Sequence, residues 1–153
     1  MQIIPNWHAD LTDIGKLVLA YTLALPVGWY REKEAHSIGV RTFPLVAMAS
    51  CGYVLVALPV GVFDTAAQSR VIQGLVAGIG FIGGGAILKA EGNVHGTATA
   101  ASIWNTGVIG AAVAQNRFLL AFLLAALNLF ALRVLLPLKQ RLDARANQNG
   151  DRD

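Results

Sequence analysis

Charged and apolar positions are segregated into long blocks along the chain. Five stretches carry no Asp, Glu, Lys or Arg: Leu17 to Tyr30 (14 residues), Thr42 to Phe63 (22), Val71 to Leu88 (18), Gly92 to Asn116 (25) and Phe118 to Leu132 (15). A helix crossing the hydrocarbon core of a bilayer needs about 20 mainly apolar residues, so the longer stretches are of crossing length. The pattern predicts five helical spans, at about Leu11 to Tyr30, Phe43 to Phe63, Val71 to Leu88, Thr97 to Gln115 and Phe118 to Leu136. Pro26 falls near the end of the first, Pro44 suits the first turn of the second, and Pro137 helps to end the fifth. The charged run Arg31 to Glu34 and the segments Asp64 to Arg70 and Lys89 to Gly96 are expected as polar connections. Lys139 to Asp153 is expected as a disordered polar tail, which leaves residues 1–138 as one membrane domain.

Composition agrees with an all-α membrane bundle, since 55% of the 153 residues are hydrophobic and 14% charged, against about 25% charged in a typical soluble domain. The net charge of +3 does not point to nucleic acid, because the basic residues are scattered between apolar blocks rather than gathered on one face. Met1 to Asp10 has no Lys or Arg and so no basic region of a cleavable signal, and the first apolar segment is expected to stay as a helix. Cys51 is the only cysteine, which rules out an intrachain disulfide. With the N-terminus outside, Arg31, Lys33, Arg41, Lys89, Lys139, Arg141, Arg145 and Arg152 fall inside and only Arg70 and Arg117 outside, eight against two. Positive residues favour the cytoplasmic side, so the N-terminus is expected outside and the C-terminus in the cytoplasm.

Gly78, Gly80 and Gly83 spell a GxGxxG, but inside an apolar span this is no dinucleotide turn, which needs a strand before it and a helix opening after it. Gly74 and Gly78, and Gly80 and Gly84, are four apart and suit close helix contacts. Gly83 to Gly85 weaken the helix, and a break at membrane depth could adjoin an ion or ligand site. In the fourth span Thr99, Ser102, Asn105 and Thr106 form a polar stripe of the kind that cements helices, and Asn128 in the fifth suits the same role. Asp13 and Lys16 share a helical face and can pair, or Lys16 can snorkel to the headgroups. With Arg133 they are the ionisable groups within the spans. His8, His36 and His95 have no metal-cage spacing, so no metal ligand set is assigned. No nucleophile and base pair, facing carboxylates or cofactor motif is present, and the chain is expected to be no enzyme and to need no cofactor.

Several segments together resemble the N-terminal membrane domain of the MgtC/SapB family: Arg31-Glu32, Gly39-Val-Arg41-Thr42, Gly78-Ile-Gly80-Phe-Ile-Gly83, and Val94-His-Gly96 running into Thr99-Ala-Ala-Ser-Ile-Trp104. The resemblance covers roughly Leu17 to Leu138. It implies a five-helix protein of the bacterial inner membrane, linked to growth in scarce magnesium, to survival inside host cells in pathogens, and to restraint of ATP synthase; magnesium transport is an older implication. It places family-like residues at Arg31, Glu32, Gly39, Arg41, Thr42, Gly78, Gly80, Phe81, Gly83, Gly85, Gly96, Thr99, Ala100, Ala101 and Trp104, with the neighbouring Asn105 a further candidate. Arg31, Glu32, Arg41 and Thr42 are expected to form a charged cluster joining the first two spans. The sequence departs from the family at Pro26, at Trp29-Tyr30, at Gly84 for alanine and at His95 for arginine, and is expected to be a short form without the soluble C-terminal domain of many members.

Two functions follow as expectations. One is a non-enzymatic regulator that contacts another membrane complex, ATP synthase by resemblance, through Gly74/Gly78 and Gly80/Gly84, or a homo-oligomeric scaffold. The other is a small cation carrier or channel with Asp13, Thr99, Ser102, Asn105 and Thr106 along its path.

Overall fold

A computed structural model of the chain describes residues 7–35, 39–57, 65–90 and 93–135. Five helices carry the fold: α1 (Trp7–Ala35), α2 (Thr42–Ala57), α3 (Thr65–Gly85), α4 (Thr97–Ala114) and α5 (Phe118–Phe130), which widens into a π-helical turn at Ala131–Leu135. A short antiparallel hairpin, β1 (Leu88–Ala90) with β2 (Asn93–His95), joins α3 to α4, pairing Leu88 with His95, Lys89 with Val94 and Ala90 with Asn93.

The buried positions explain why these helices bundle. Among them, α1 carries Ala20, Ala24, Val27 and Arg31, with Gly28 beside them; α2 carries Phe43, Ala47, Ser50 and Val54, with Pro44 and Cys51 beside them; and α5 with its π-helical turn carries Ala121, Ala125, Asn128 and Leu132. All three sets repeat with spacing four, three, four, the seam that packs helices at a shallow left-handed crossing. α4 carries the same repeat at Thr99, Ile103, Thr106, Gly110 and Val113, and is buried on further positions as well. It therefore lies at the centre, with α1, α2, α3 and α5 against it. Small residues bring it close to α2: a Cβ on Gly110 would lie 2.9 Å from the carbonyl carbon of Ala47 and 3.0 Å from the amide nitrogen of Cys51.

The outer surface is apolar. α1 and the combined α5 and π-helical segment are long and apolar enough to cross a membrane, and only 22% and 17% of their most apolar windows are buried within the chain. A core helix of a water-soluble globule would hide far more. α1 spans about 43 Å at 1.5 Å per residue and so outruns a hydrocarbon core of about 30 Å.

Three expected connections are corrected. The charged run Arg31 to Glu34 is the last turn of α1, because Arg, Glu and Lys are good helix formers and no breaker intervenes. For the same reason Pro26 sits inside α1 rather than near its end. Residues 65–70 open α3, and the segment expected as a polar loop before α4 is the hairpin. The triple glycine forms the end of α3 at Gly85, where the third span was expected to run on to Leu88. The far end of the second span, residues 58–64, and the tail with its 138/139 boundary lie outside the described residues.

Gly110→Ala should cost about 1–3 kcal/mol by forcing α2 from α4, measured as a lower unfolding midpoint in detergent micelles. Gly74→Ala, with nothing within 4 Å of the added Cβ, should leave that midpoint unchanged or raise it.

Candidate functional site

Of the family-like residues, Arg31, Glu32, Gly39, Gly83, Gly96 and Thr99 meet at one end of the bundle, where α1 turns into α2 and the hairpin leads into α4. Arg31 is only 7% exposed and Thr99 only 4%. An Nη of Arg31 donates to Thr99 Oγ1, tying the end of α1 to the first turn of α4. The positive end of the α4 dipole opposes a cation there, so direct bonding such as that to Thr99, and not the dipole, holds the guanidinium. Glu32 accepts the amide of Val40 at 2.8 Å through Oε2 and so closes the α1–α2 connection. Gly39 is required by that closure, since a Cβ would fall 2.7 Å from Glu32 Cα, and a Cβ on Gly28 would fall 3.0 Å from Gly39 O.

The expected charged cluster is corrected by this arrangement. Arg31 faces α4 inside the bundle, Arg41 is exposed, and Thr42 is half-buried at the start of α2. Gly96 adopts φ 86° before α4, a left-handed conformation with a Cβ site 3.1 Å from the carbonyl carbon of Ala86, so glycine is needed there. A Cβ on Gly83 would lie 3.3 Å from the carbonyl oxygen of Ala100, whereas one on Gly85 would meet nothing within 4 Å. Phe81 is 86% exposed and Trp104 46%, both facing outward.

The opposite end carries a second tie that the sequence did not reveal. Lys16 does not pair with Asp13; its Nζ donates to the carbonyl of Ala114 at 3.4 Å, in the last turn of α4. A cation there is favoured by the helix dipole. Lys16 and Arg31 are 15 residues apart, and so are Thr99 and Ala114. The two helices run antiparallel, and the equal spacing lets both ties form in one register.

The polar stripe of α4 divides among neighbours. Ser102 Oγ donates to Asn128 Oδ1 at 2.8 Å, and Asn128 Nδ2 returns a bond to the Ser102 carbonyl at 3.3 Å. Asn105 Nδ2 reaches the Leu124 carbonyl at 3.2 Å. Thr106 Oγ1 bonds back to Ser102 O at 2.8 Å within α4. Thr99 thus serves α1, Ser102 and Asn105 serve α5, and Thr106 serves its own helix. Asp13 lies at the Lys16 end, about 27 Å along α1 from Arg31 at 1.5 Å per residue.

On α3 the four spaced glycines, Gly74, Gly78, Gly80 and Gly84, have nothing within 4 Å of where a Cβ would stand. Among the described residues, none stands where a side chain at these positions would begin. The close approaches fall instead at Gly28, Gly39, Gly83, Gly96, Gly107 and Gly110. Placing α4 on the four-three repeat would have singled out Gly110; nothing in the sequence marked Gly28. Among the described residues no group of three or more His, Cys, Asp or Glu could hold a metal ion.

Comparison with known proteins adds a family pattern: that of the MgtC family matches residues 17–141. The protein SrpB of Synechococcus elongatus is 37% identical over 110 residues, covering 64% of this chain and 60% of SrpB. YhiD of Escherichia coli K12, whose name proposes it as a magnesium transporter, is 31% identical over 134 residues, covering 83% of this chain and 62% of YhiD. The protein MgtC of Brucella abortus is 30% identical over 131 residues, covering 86% of this chain and 54% of its own. The chain thus spans a little over half the length of these relatives. No solved structure matches it.

Thr99→Val keeps the shape and removes the acceptor of a charged donor, and should cost about 1.5–3 kcal/mol in detergent unfolding. Thr106→Val, which removes only a bond within α4, should cost less than half as much.

Proposed function

The chain belongs to the MgtC family, and from that premise we propose that it is a non-enzymatic, multi-pass protein of the bacterial inner membrane that modulates another membrane complex during adaptation to low magnesium or stress. ATP synthase is the partner that the family resemblance suggests. In this reading all five helices cross the bilayer, with the N-terminus outside and the C-terminus cytoplasmic, as the eight-to-two distribution of basic residues favours.

The observation that carries the reading is the outward placement of the α3 glycines beside an interior whose polar side chains bond within the bundle. Gly80 and Gly84 leave helix backbone open to approach from outside the chain. Small residues are what membrane helices use where two backbones meet closely. Inside, Ser102, Asn105, Thr106 and Asn128 each spend hydrogen bonds on neighbouring helices or on α4 itself. Homo-oligomerisation is compatible with the same exposed face.

Cation transport is the second reading, favoured by the name of YhiD. It would use Asp13, Thr99, Ser102, Asn105 and Thr106 as a path. The separation of Asp13 from Thr99 along the bundle, and the division of the stripe among three helices, weigh against a continuous one.

ATP hydrolysis and the proton gradient, recorded together in inverted membrane vesicles with and without the protein, separate these readings. A regulator should lower hydrolysis and the gradient in proportion. Unchanged hydrolysis with faster gradient decay, abolished by Asp13→Asn, would establish the ion path instead, and no change in either signal would remove both. Gly80→Leu combined with Gly84→Leu should leave membrane insertion intact and abolish co-purification of ATP synthase; undiminished co-purification would exclude this face as the contact.

A further inference from the structure

Between α2 and α3 the bundle leaves a lateral groove of about 720 Å³. Its α2 wall runs from Thr42 to Ala57 and its α3 wall from Val71 to Ile82. It therefore follows α2 for about 22 Å, most of a hydrocarbon core of about 30 Å. The lining is aliphatic apart from Thr42, Ser50 and Tyr53, and Ser50 is buried. Gly74 and Gly78 deepen its α3 side, because neither offers a side chain and neither has a neighbour within 4 Å of a Cβ site.

The two ends of the groove differ in chemistry. At one end Thr42 lines the wall and the preceding residue, Arg41, is exposed. At the other, Ala57 and Val71 line the wall, and exposed Arg70 precedes Val71. Both ends thus carry a cation, and at the first the hydroxyl residue adjoining it, Thr42, belongs to the groove lining, whereas Ser69, which adjoins Arg70, does not. A guanidinium with a neighbouring hydroxyl suits a phosphate, which accepts charge-assisted hydrogen bonds from both. A long apolar trough leading to that pair suits a hydrocarbon tail. We propose that the α2–α3 groove seats an acyl chain of an anionic phospholipid, with its phosphate held at the Arg41–Thr42 end.

Another protein's transmembrane helix would fill the trough but would use the cation at its mouth only by bringing an acidic group to that level. The anionic lipid uses both. This makes the groove a selective site rather than a stretch of ordinary lipid-facing surface, and it is independent of any contact made through Gly80 and Gly84.

The test uses the purified full chain in detergent with added phosphatidylglycerol or phosphatidylcholine of identical acyl chains, and counts retained lipid by native mass spectrometry. The unmodified protein should retain phosphatidylglycerol in preference to phosphatidylcholine. Arg41→Gln should lower that preference about five-fold, the discrimination that one interfacial cation provides. Arg70→Gln should leave it unchanged. Gly78→Leu places a side chain in the trough and should abolish retention of both lipids, whereas Gly15→Leu, at an open site on α1 away from the groove, should not; circular dichroism checks that each variant is folded. Equal retention of the two lipids, or undiminished retention in a folded Gly78→Leu, would overturn the proposal. A dimer in place of the lipid adduct would assign the groove to a second copy of the chain, and a loss of preference in Arg70→Gln instead of Arg41→Gln would overturn the placement of the phosphate.

Discussion

Two cations on α1 tie it to the two ends of α4, Arg31 through Thr99 and Lys16 through the carbonyl of Ala114. Because each pair of anchor points is 15 residues apart, one antiparallel register satisfies both. A shift of one residue would move every contact between the helices by about 1.5 Å along the axis and rotate the faces by about 100°. In an apolar surrounding, the alternative to a made hydrogen bond is a polar group facing hydrocarbon, which is costly. Register is thus specified by polarity at the ends. The small residues Ala20 and Ala24 between them allow the approach.

With α1 and α4 fixed, the other helices have few choices. α2 enters through the short turn that Glu32 closes on Val40, and Gly110 lets it lie against α4. α5 is held by the reciprocal pair Ser102 and Asn128 and by Asn105. α3 is the peripheral helix, buried at Ile79 and Gly83 but open at its other glycines. Lipid tails are as apolar as leucine, so membrane bundles associate by close packing and hydrogen bonds rather than by hiding apolar surface. α4 has both, with glycine and alanine for approach and hydroxyl and amide groups for bonds; α3 has the glycines and few of the polar partners. That difference separates a core helix from one with a face to spare, and both the proposed partner contact at Gly80 and Gly84 and the proposed lipid seat beside Gly74 and Gly78 draw on it.

The site was partly legible. Arg31, Glu32, Gly39, Thr99 and Gly96 were marked by resemblance, and the structure brings them to one end of the bundle. Their roles were not legible, because Arg31 in a charged run reads as solvated until α4 is placed beside it. The pairing of Asp13 with Lys16 looked favourable at three-residue spacing, but a lysine beside a helix C-terminus gains both a carbonyl acceptor and the dipole. The hairpin was hidden because its three-residue strands are too short to carry an alternation that can be read.

By itself the sequence determined the class and the number of helices. Charge-free blocks of helical crossing length leave a polypeptide backbone few ways to satisfy its own hydrogen bonds in hydrocarbon, so five helices in this order follow from local composition. It also determined that a polar stripe would run along α4, since that depends only on the helical period. Tertiary structure alone decided which helix each member of the stripe serves, which glycines meet backbone and which face outward, and where the groove between α2 and α3 opens. Those outcomes depend on contacts between residues up to 98 positions apart, and the pattern within one helix records which of its faces are small or polar but not which neighbour will come to lie against them.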